Sequence, residues 1–247
     1  MKQGTVYAGV FASVYLIFVI ATIPAKLIFN FVSLPKDIVV ENLSGTVWQA
    51  EIKRLATRDI ELNRVTASLS PLSLLVFDPA VSLTFGDDLL PGPQGEVKVS
   101  GLLGNLTLSD ADILLAANDI SRQLDLPVPV TASGDVSVKL DSLVFDKPFC
   151  AQASGLVSWK KAKVTALEQN VTLGPLSADI GCEEGALAFN IQPKNNLGLT
   201  FSAYLRQGGK FSGQGYLQPA DKFPESLKGA LPFLGKKDAQ GRYRLGF

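Results

Sequence analysis

The chain has no histidine, a single methionine at position 1, and only two cysteines in 247 residues. Without histidine, Ser-His-Asp and Cys-His nucleophilic arrangements fall away, as does every His-containing zinc site. Two cysteines are too few for a four-cysteine metal centre, and one methionine leaves no soft, Met-lined recognition groove. Net charge is missing too, since 23 Lys plus Arg balance 23 Asp plus Glu. A nucleic-acid binder carries a basic face or stripe, so no nucleic-acid partner is expected. What is abundant is apolar surface. Hydrophobic residues make up 47% of the chain, enough for a sizeable core beyond any membrane segment. The length fits one large all-β domain or two smaller ones.

Val6 to Ile23 (VYAGVFASVYLIFVIATI) runs eighteen residues without a charge. As a helix it reaches about 27 Å, close to a ~30 Å hydrocarbon core. Apolar character resumes after Pro24 and Lys26 in Leu27, Ile28, Phe29, Phe31 and Val32, a stretch that can either extend the helix to about residue 29 or lie along the surface. Lys26 can snorkel to the interface, and Tyr7 sits where an interfacial aromatic belong. A cleaved signal peptide is the competing reading, but the run exceeds the usual ~7–15 residues, and cleavage after Ala25 places Ile23 badly. Lys2 is consistent with a cytoplasmic N-terminus.

Beyond residue 33 the pattern becomes alternation with period two, broken by turn residues at short intervals, which is the mark of antiparallel sheet. Ile38–Leu43 and Thr46–Ile52 read as two strands joined at Ser44-Gly45. Ile60, Leu62, Val65, Ala67 and Leu69 continue the alternation. So do Val81, Leu83 and Phe85, ahead of a turn-rich segment containing Pro91. Val136–Leu140, Leu187–Ile191 and Leu199–Leu205 read the same way. Two segments depart from the rule. Asp110–Leu124 carries apolar residues near helical spacing, and a helix there is expected to stop at Pro127 and Pro129. Ser70–Val76 is the second helical candidate, with Pro71 in its first turn. Both are expected to be packing elements. Ser44-Gly45-Thr46-Val47-Trp48 is loosely echoed by Ser154-Gly155-Leu156-Val157-Ser158-Trp159, which suggests a body of two similar halves. The two tryptophans read as large anchors closing one end of the sheet.

Cys150 and Cys182 both lie past the apolar run. Paired, they close a loop of about 33 residues worth roughly 3–4 kcal/mol in the chain-entropy model. Such a bond persists in an oxidising compartment and fits a periplasmic body. Two unrelated buried thiols are the other reading. Catalytic and metal constellations are weak. Asp87-Asp88 and Glu183-Glu184 read as solvated turn acids. Asp110 and Asp112 fall on one side of an extended segment, but no calcium-loop spacing follows. Lys160-Lys161-x-Lys163 reads as a solvated hairpin face, and Gly208-Gly209 as a hairpin turn rather than a phosphate loop. No catalytic residue, metal or cofactor is expected.

Four features together resemble a known family, protein N of the type II secretion pathway. They are the N-terminal apolar run followed by Leu43-Ser44-Gly45-Thr46-Val47-Trp48-Gln49-Ala50; the segment Leu62 to Leu75 with Pro71; the late cysteine pair around Gly155 and Trp159; and the closing Gln240-Gly241-Arg242-Tyr243-Arg244-Leu245. Ala67 stands where the family commonly has Trp, and Ala50 where it has Gly. The resemblance implies a non-enzymatic inner-membrane component of the secretion machinery. Its partners would be other inner-membrane and periplasmic subunits and the lipid bilayer. The expected layout is residues 1–5 in the cytoplasm, a single transmembrane helix at 6–23, and a mainly β periplasmic domain at 34–247. That domain would be a twisted, largely antiparallel sheet with one or two short helices. A membrane-anchored sheet that binds or shuttles lipid is the alternative.

Overall fold

The computed structural model describes residues 2–29, 38–57, 61–87, 90, 92–102, 104–123, 130–166 and 169–246. Phe31, Val32, Ile60, Asp88, Pro91, Leu124, Pro127 and Pro129, singled out above, lie outside the described residues.

Helix α1 (Lys2–Ala21) leads into α2 (Ala25–Phe29), and the rest is dominated by one sheet. Its first half comprises β1 (Val39–Gly45), β2 (Gln49–Ala56), β3 (Glu61–Leu69), β4 (Val81–Phe85), β5 (Gln94–Ser100), β6 (Thr107–Ala116) and β7 (Val130–Phe145). Its second half comprises β8 (Cys150–Ala166), β9 (Gln169–Thr172), β10 (Leu176–Glu183), β11 (Ala186–Ile191), β12 (Leu199–Arg206), β13 (Lys210–Leu217) and β14 (Tyr243–Gly246). Every pairing is antiparallel, and nearly every strand pairs with its neighbours in the chain. The exception is at β8, whose far edge pairs first with β10 and then with β9. Gly174-Pro175 falls between those two short strands, and proline has no N–H to give a ladder.

Residues paired across antiparallel strands share a face, so the register sorts the sheet into two surfaces. Along one rung lie Ala111, Leu140, Gly155, Ile180, Phe189, Ala203 and Gly213, all apolar or glycine. The adjacent rung on the opposite face runs Ser44, Glu51, Thr66, Thr84, Glu96, Asp112, Lys139, Leu156, Asp179, Asn190, Ser202 and Gln214. One interruption, Leu156, stands in an otherwise polar line. The main core sits on the apolar face, where Ala111, Leu140, Leu143, Cys150, Ile180 and Leu187 are buried together.

The alternation is not strict, because single residues with positive φ reset it. Asp110 (φ 51°) separates Leu108 from Ala111, and both pack into the same core. The helical reading of residues 110–124 is corrected in the same strand. Leu108, Ala111, Ile113 and Leu115 belong to strand β6, and only the last part, α4 (Ala117–Gln123), is helical. Ile113 and Leu114 of the strand precede Ala117 and Ile120 of the helix at helical spacing, so a strand running straight into a helix reads as one longer helix. Helix α4 does pack, burying Ala117 beside Ala132 and Val136. With α3 (Pro71–Leu75), α5 (Glu225–Lys228) and two 3-10 turns, the short helices outnumber the one or two expected. The first hairpin also differs, since β1 runs through Ser44 and Gly45 and the turn is Thr46-Val47-Trp48.

Candidate functional site at the α1 end of the sheet

In an antiparallel meander alternate turns collect at one end. Here that end gathers the turns at residues 46–48, 70–80, 101–102 and 104–106, 146–149, 184–185 and 207–209, and α1 arrives there too. The junction is a set of hydrogen bonds. The Trp48 indole Nε1 donates to the Ile20 carbonyl at 3.0 Å, and the Val47 amide donates to the Ile23 carbonyl at 2.9 Å. Pro24 and Thr46 form a bridge, and Ala25 of α2 is buried. Gly45 (φ 89°) lets the chain turn here, since a Cβ at that position would press on the backbone of Gln49 and Ala50. The Trp48 carbonyl then accepts from the Leu69 amide at 3.0 Å, passing the connection to β3.

Helix α3 follows β3 directly, with Pro71 in its first turn as the sequence predicts. Its loop is well tied. Ser73 Oγ donates to the Ser70 carbonyl at 2.6 Å and accepts from the Ala80 amide at 2.9 Å. The Asp78 carboxylate accepts from the Gly101 amide at 2.9 Å, joining this loop to the next one at the same end. This ordered frame does not bury its apolar residues, contrary to the expectation of a packing element. Leu72, Leu75, Val76 and Phe77 are 72–85% exposed, and Leu102 on the adjoining loop is 51% exposed. No step of the sequence reading anticipated this, although the uncharged run Leu72-Ser73-Leu74-Leu75-Val76-Phe77 was the available signal.

Helix α1 is apolar on every side: Phe11, Val14, Tyr15, Leu16, Ile17 and Phe18 are all exposed. Among the described residues no helix is long and apolar enough to cross a membrane.

The other singled-out residues are spread over the rest of the sheet, with Cys150 and Cys182 beside the turns at 146–149 and 184–185. Cys150 and Cys182 are joined by a disulfide, with Cα atoms 5.8 Å apart. It ties β8 to the far end of β10 within the main core. Trp159 lies inside β8, donates from Nε1 to the Ser133 carbonyl at 3.1 Å, and packs with Ala132 and Val136. The two tryptophans therefore do not close the same end. Gly155 of the echo is a strand-interior residue, whereas Gly45 ends a strand.

Gly241, Arg242 and Tyr243 form a clamp at the last edge of the sheet. Gly241 takes φ 76°; Arg242 pairs with Asp238 at 2.9 Å and lies 4.1 Å over the Tyr216 ring. Tyr243 is buried with Leu197, Leu217 and Phe223. Backbone donation from Arg242, then its guanidinium and the Gln240 amide, hold the Asp238 carboxyl below the ordinary range, against a smaller opposing effect of burial.

Acidic groups are mostly spent on neighbours. Asp87 is no solvated turn acid; its largely buried carboxylate pairs with Arg64 at 2.9 Å. Asp112 pairs with Lys139 at 3.0 Å, and the bulge at Asp110 breaks the one-sided arrangement expected of the two. Glu183 accepts from Asn190 at 2.6 Å and from the Tyr204 hydroxyl at 3.1 Å. An open cleft of about 450 Å³ on the polar face is lined by Glu41, Glu51, Lys53, Arg54, Arg64 and Asp87. Its Arg54 bonds Glu61 at 2.7 Å and Glu41 at 3.2 Å, and the Arg54 hydrogen bond lowers the Glu61 pKa. Among the described residues no three acidic or cysteine side chains gather as metal donors.

Residues 36–246 match the family described as type II secretion system (T2SS), protein N. The chain is 30% identical to the type II secretion system protein N of Aeromonas hydrophila, over 100% of this chain and 98% of that one. It is 26% identical to the protein of that name from Vibrio cholerae serotype O1, over 98% and 97% of the two chains. The Klebsiella pneumoniae protein of that name is 27% identical, over 98% and 94%. No solved structure matches the chain.

Proposed function

The chain belongs to the type II secretion system protein N family, and we propose that it serves that machinery as a non-enzymatic part held in the inner membrane by α1. The observation that carries this reading is the all-round apolar surface of α1, joined to the sheet through Trp48 and Val47. A helix apolar on every side is matched by lipid rather than by water. In this reading residues 1–5 lie in the cytoplasm, the uncharged run from Val6 to Ile23 crosses the bilayer, and residues 34–247 form the periplasmic body. The disulfide fits that side of the membrane, because such bonds persist in oxidising compartments. Recognition of other secretion subunits would use the exposed edges of β1 and β14, where strand addition is available.

The test is crosslinking of the full-length protein in native membranes, followed by alkaline carbonate extraction and identification of partners. Retention in the membrane pellet with crosslinks to other secretion subunits is expected. Release of the protein by carbonate, or absence of such crosslinks, would overturn the reading.

A second reading has its own observation. The apolar rung from Ala111 to Gly213 is continuous over seven strands, and this face suits acyl chains as well as a protein core. Phospholipid remaining on detergent-purified protein after exchange into lipid-free buffer would favour it.

A further inference from the structure

We propose that the α3 loop dips into the bilayer surface beside α1, giving the body a second, non-helical attachment to lipid. This rests on the reading of α1 as a membrane anchor and adds a separate contact to it.

Four observations carry the inference. Leu72, Leu75, Val76 and Phe77 form a protruding tip in which Phe77 is 85% exposed, and an ordered apolar tip of this kind needs an apolar environment. The tip is held in shape by Ser73 and Asp78, so its exposure is built in rather than a product of fraying. No charged residue lies between Pro71 and Phe77, and the one acid that follows, Asp78, is occupied by the Gly101 amide. Finally, the tip stands at the α1 end. One chain of hydrogen bonds runs from Ile20 through Trp48 to Leu69, two residues before α3, fixing the tip relative to the helix.

The shape selects lipid over a protein partner. A convex, charge-free tip beside an apolar helix inserts between headgroups, as interfacial segments do. A protein hot spot places aromatic anchors within a polar rim. Leu102, half exposed on the loop that Asp78 holds, widens the same apolar end.

The experiment uses the full-length chain with F77C, labelled with a polarity-sensitive dye and reconstituted in vesicles of phosphatidylethanolamine and phosphatidylglycerol. The native disulfide remains oxidised, so only the new thiol reacts. V14C, in α1, is labelled in parallel. Nitroxides on lipid acyl chains are expected to quench both labels, and aqueous iodide neither. Adding Leu75→Asp should abolish lipid quenching at position 77 and leave it intact at position 14. Lipid quenching at 14 with iodide quenching at 77 would overturn the inference and leave the anchor standing. Absence of lipid quenching at 14 would overturn the anchor reading and this inference with it. A label at 77 shielded from both quenchers would mean that protein covers the tip, and would overturn the inference alone.

Discussion

The indole N–H of Trp48 reaches back 28 residues to the carbonyl of Ile20, in the last turn of α1, at 3.0 Å. That carbonyl is among the last four of the helix, which have no partner within it. Trp48 thus caps α1 from the sheet, and the β1–β2 turn is spent on this contact. Trp48→Phe keeps an aromatic side chain, smaller than the indole, and removes the donor. It is expected to cost about 1 kcal/mol, the net worth of an ordinary hydrogen bond. The Val47 amide, bound to Ile23, should then exchange faster with deuterium while amides of β7 and β8 do not change.

Leu140 sits at the centre of the main core, registered against Ala111 and Gly155. The space above Gly155 is filled by Leu140, whose Cδ1 would lie 3.2 Å from a Cβ added there. Leu140→Ala therefore opens a cavity whose cross-strand neighbours, Ala111 and Gly155, are too small to fill it, at an expected cost of about 2–4 kcal/mol. Phe233→Ala is the contrast: that ring is 90% exposed, and the change should be within about 0.5 kcal/mol of neutral. Urea unfolding in detergent, followed by tryptophan fluorescence, reads both.

The Cys150–Cys182 bond spans 32 positions and crosses from the start of β8 to the end of β10. Reduction should lower the unfolding free energy by about 3–4 kcal/mol while the sheet persists. Alkylation of both cysteines should require reductant first, and mass spectrometry before and after reduction checks this.

The Asp238 carboxyl is stabilised in its charged form by the Arg242 amide first. Its folded pKa is depressed, so its contribution is complete above the unfolded value, about 3.9. The contribution fades as pH falls below that toward the folded value. The protection of the Tyr243 amide, its exchange rate taken relative to the intrinsic rate at each pH, should therefore fall in acid below about pH 4. Asp238→Asn should flatten that dependence and raise the rate at neutral pH.

Most of the strand content was legible because alternation is a direct consequence of a sheet with one dry and one wet face. The 70–76 helix was legible too, since proline is well suited to a first turn. What escaped has definite physical causes. Ile113 and Leu114 lie near the end of a strand that runs straight into α4, and their spacing to Ala117 and Ile120 belongs equally to a longer helix. The Ser44-Gly45 dipeptide reads as a turn, yet the chain turns at 46–48, because Val47 and Trp48 are bound by α1 from outside the hairpin. The exposure of α3 was hidden for a related reason. Whether Leu72 and Phe77 are covered depends on which distant segments return over them, and the uncharged run by itself does not record that.

The strand order carries a consequence for how the body comes into being. Apart from β9, each strand pairs with the one made just before it and the one made just after. The widest gap between paired strands is the 218–242 stretch before β14. Closing contacts of such short range is entropically cheap and fast. A chain synthesised from its N-terminal end can therefore zip its sheet strand upon strand without waiting for its far end. The growing edge at each moment offers the template for the next strand, and the short β14 is where that growth stops.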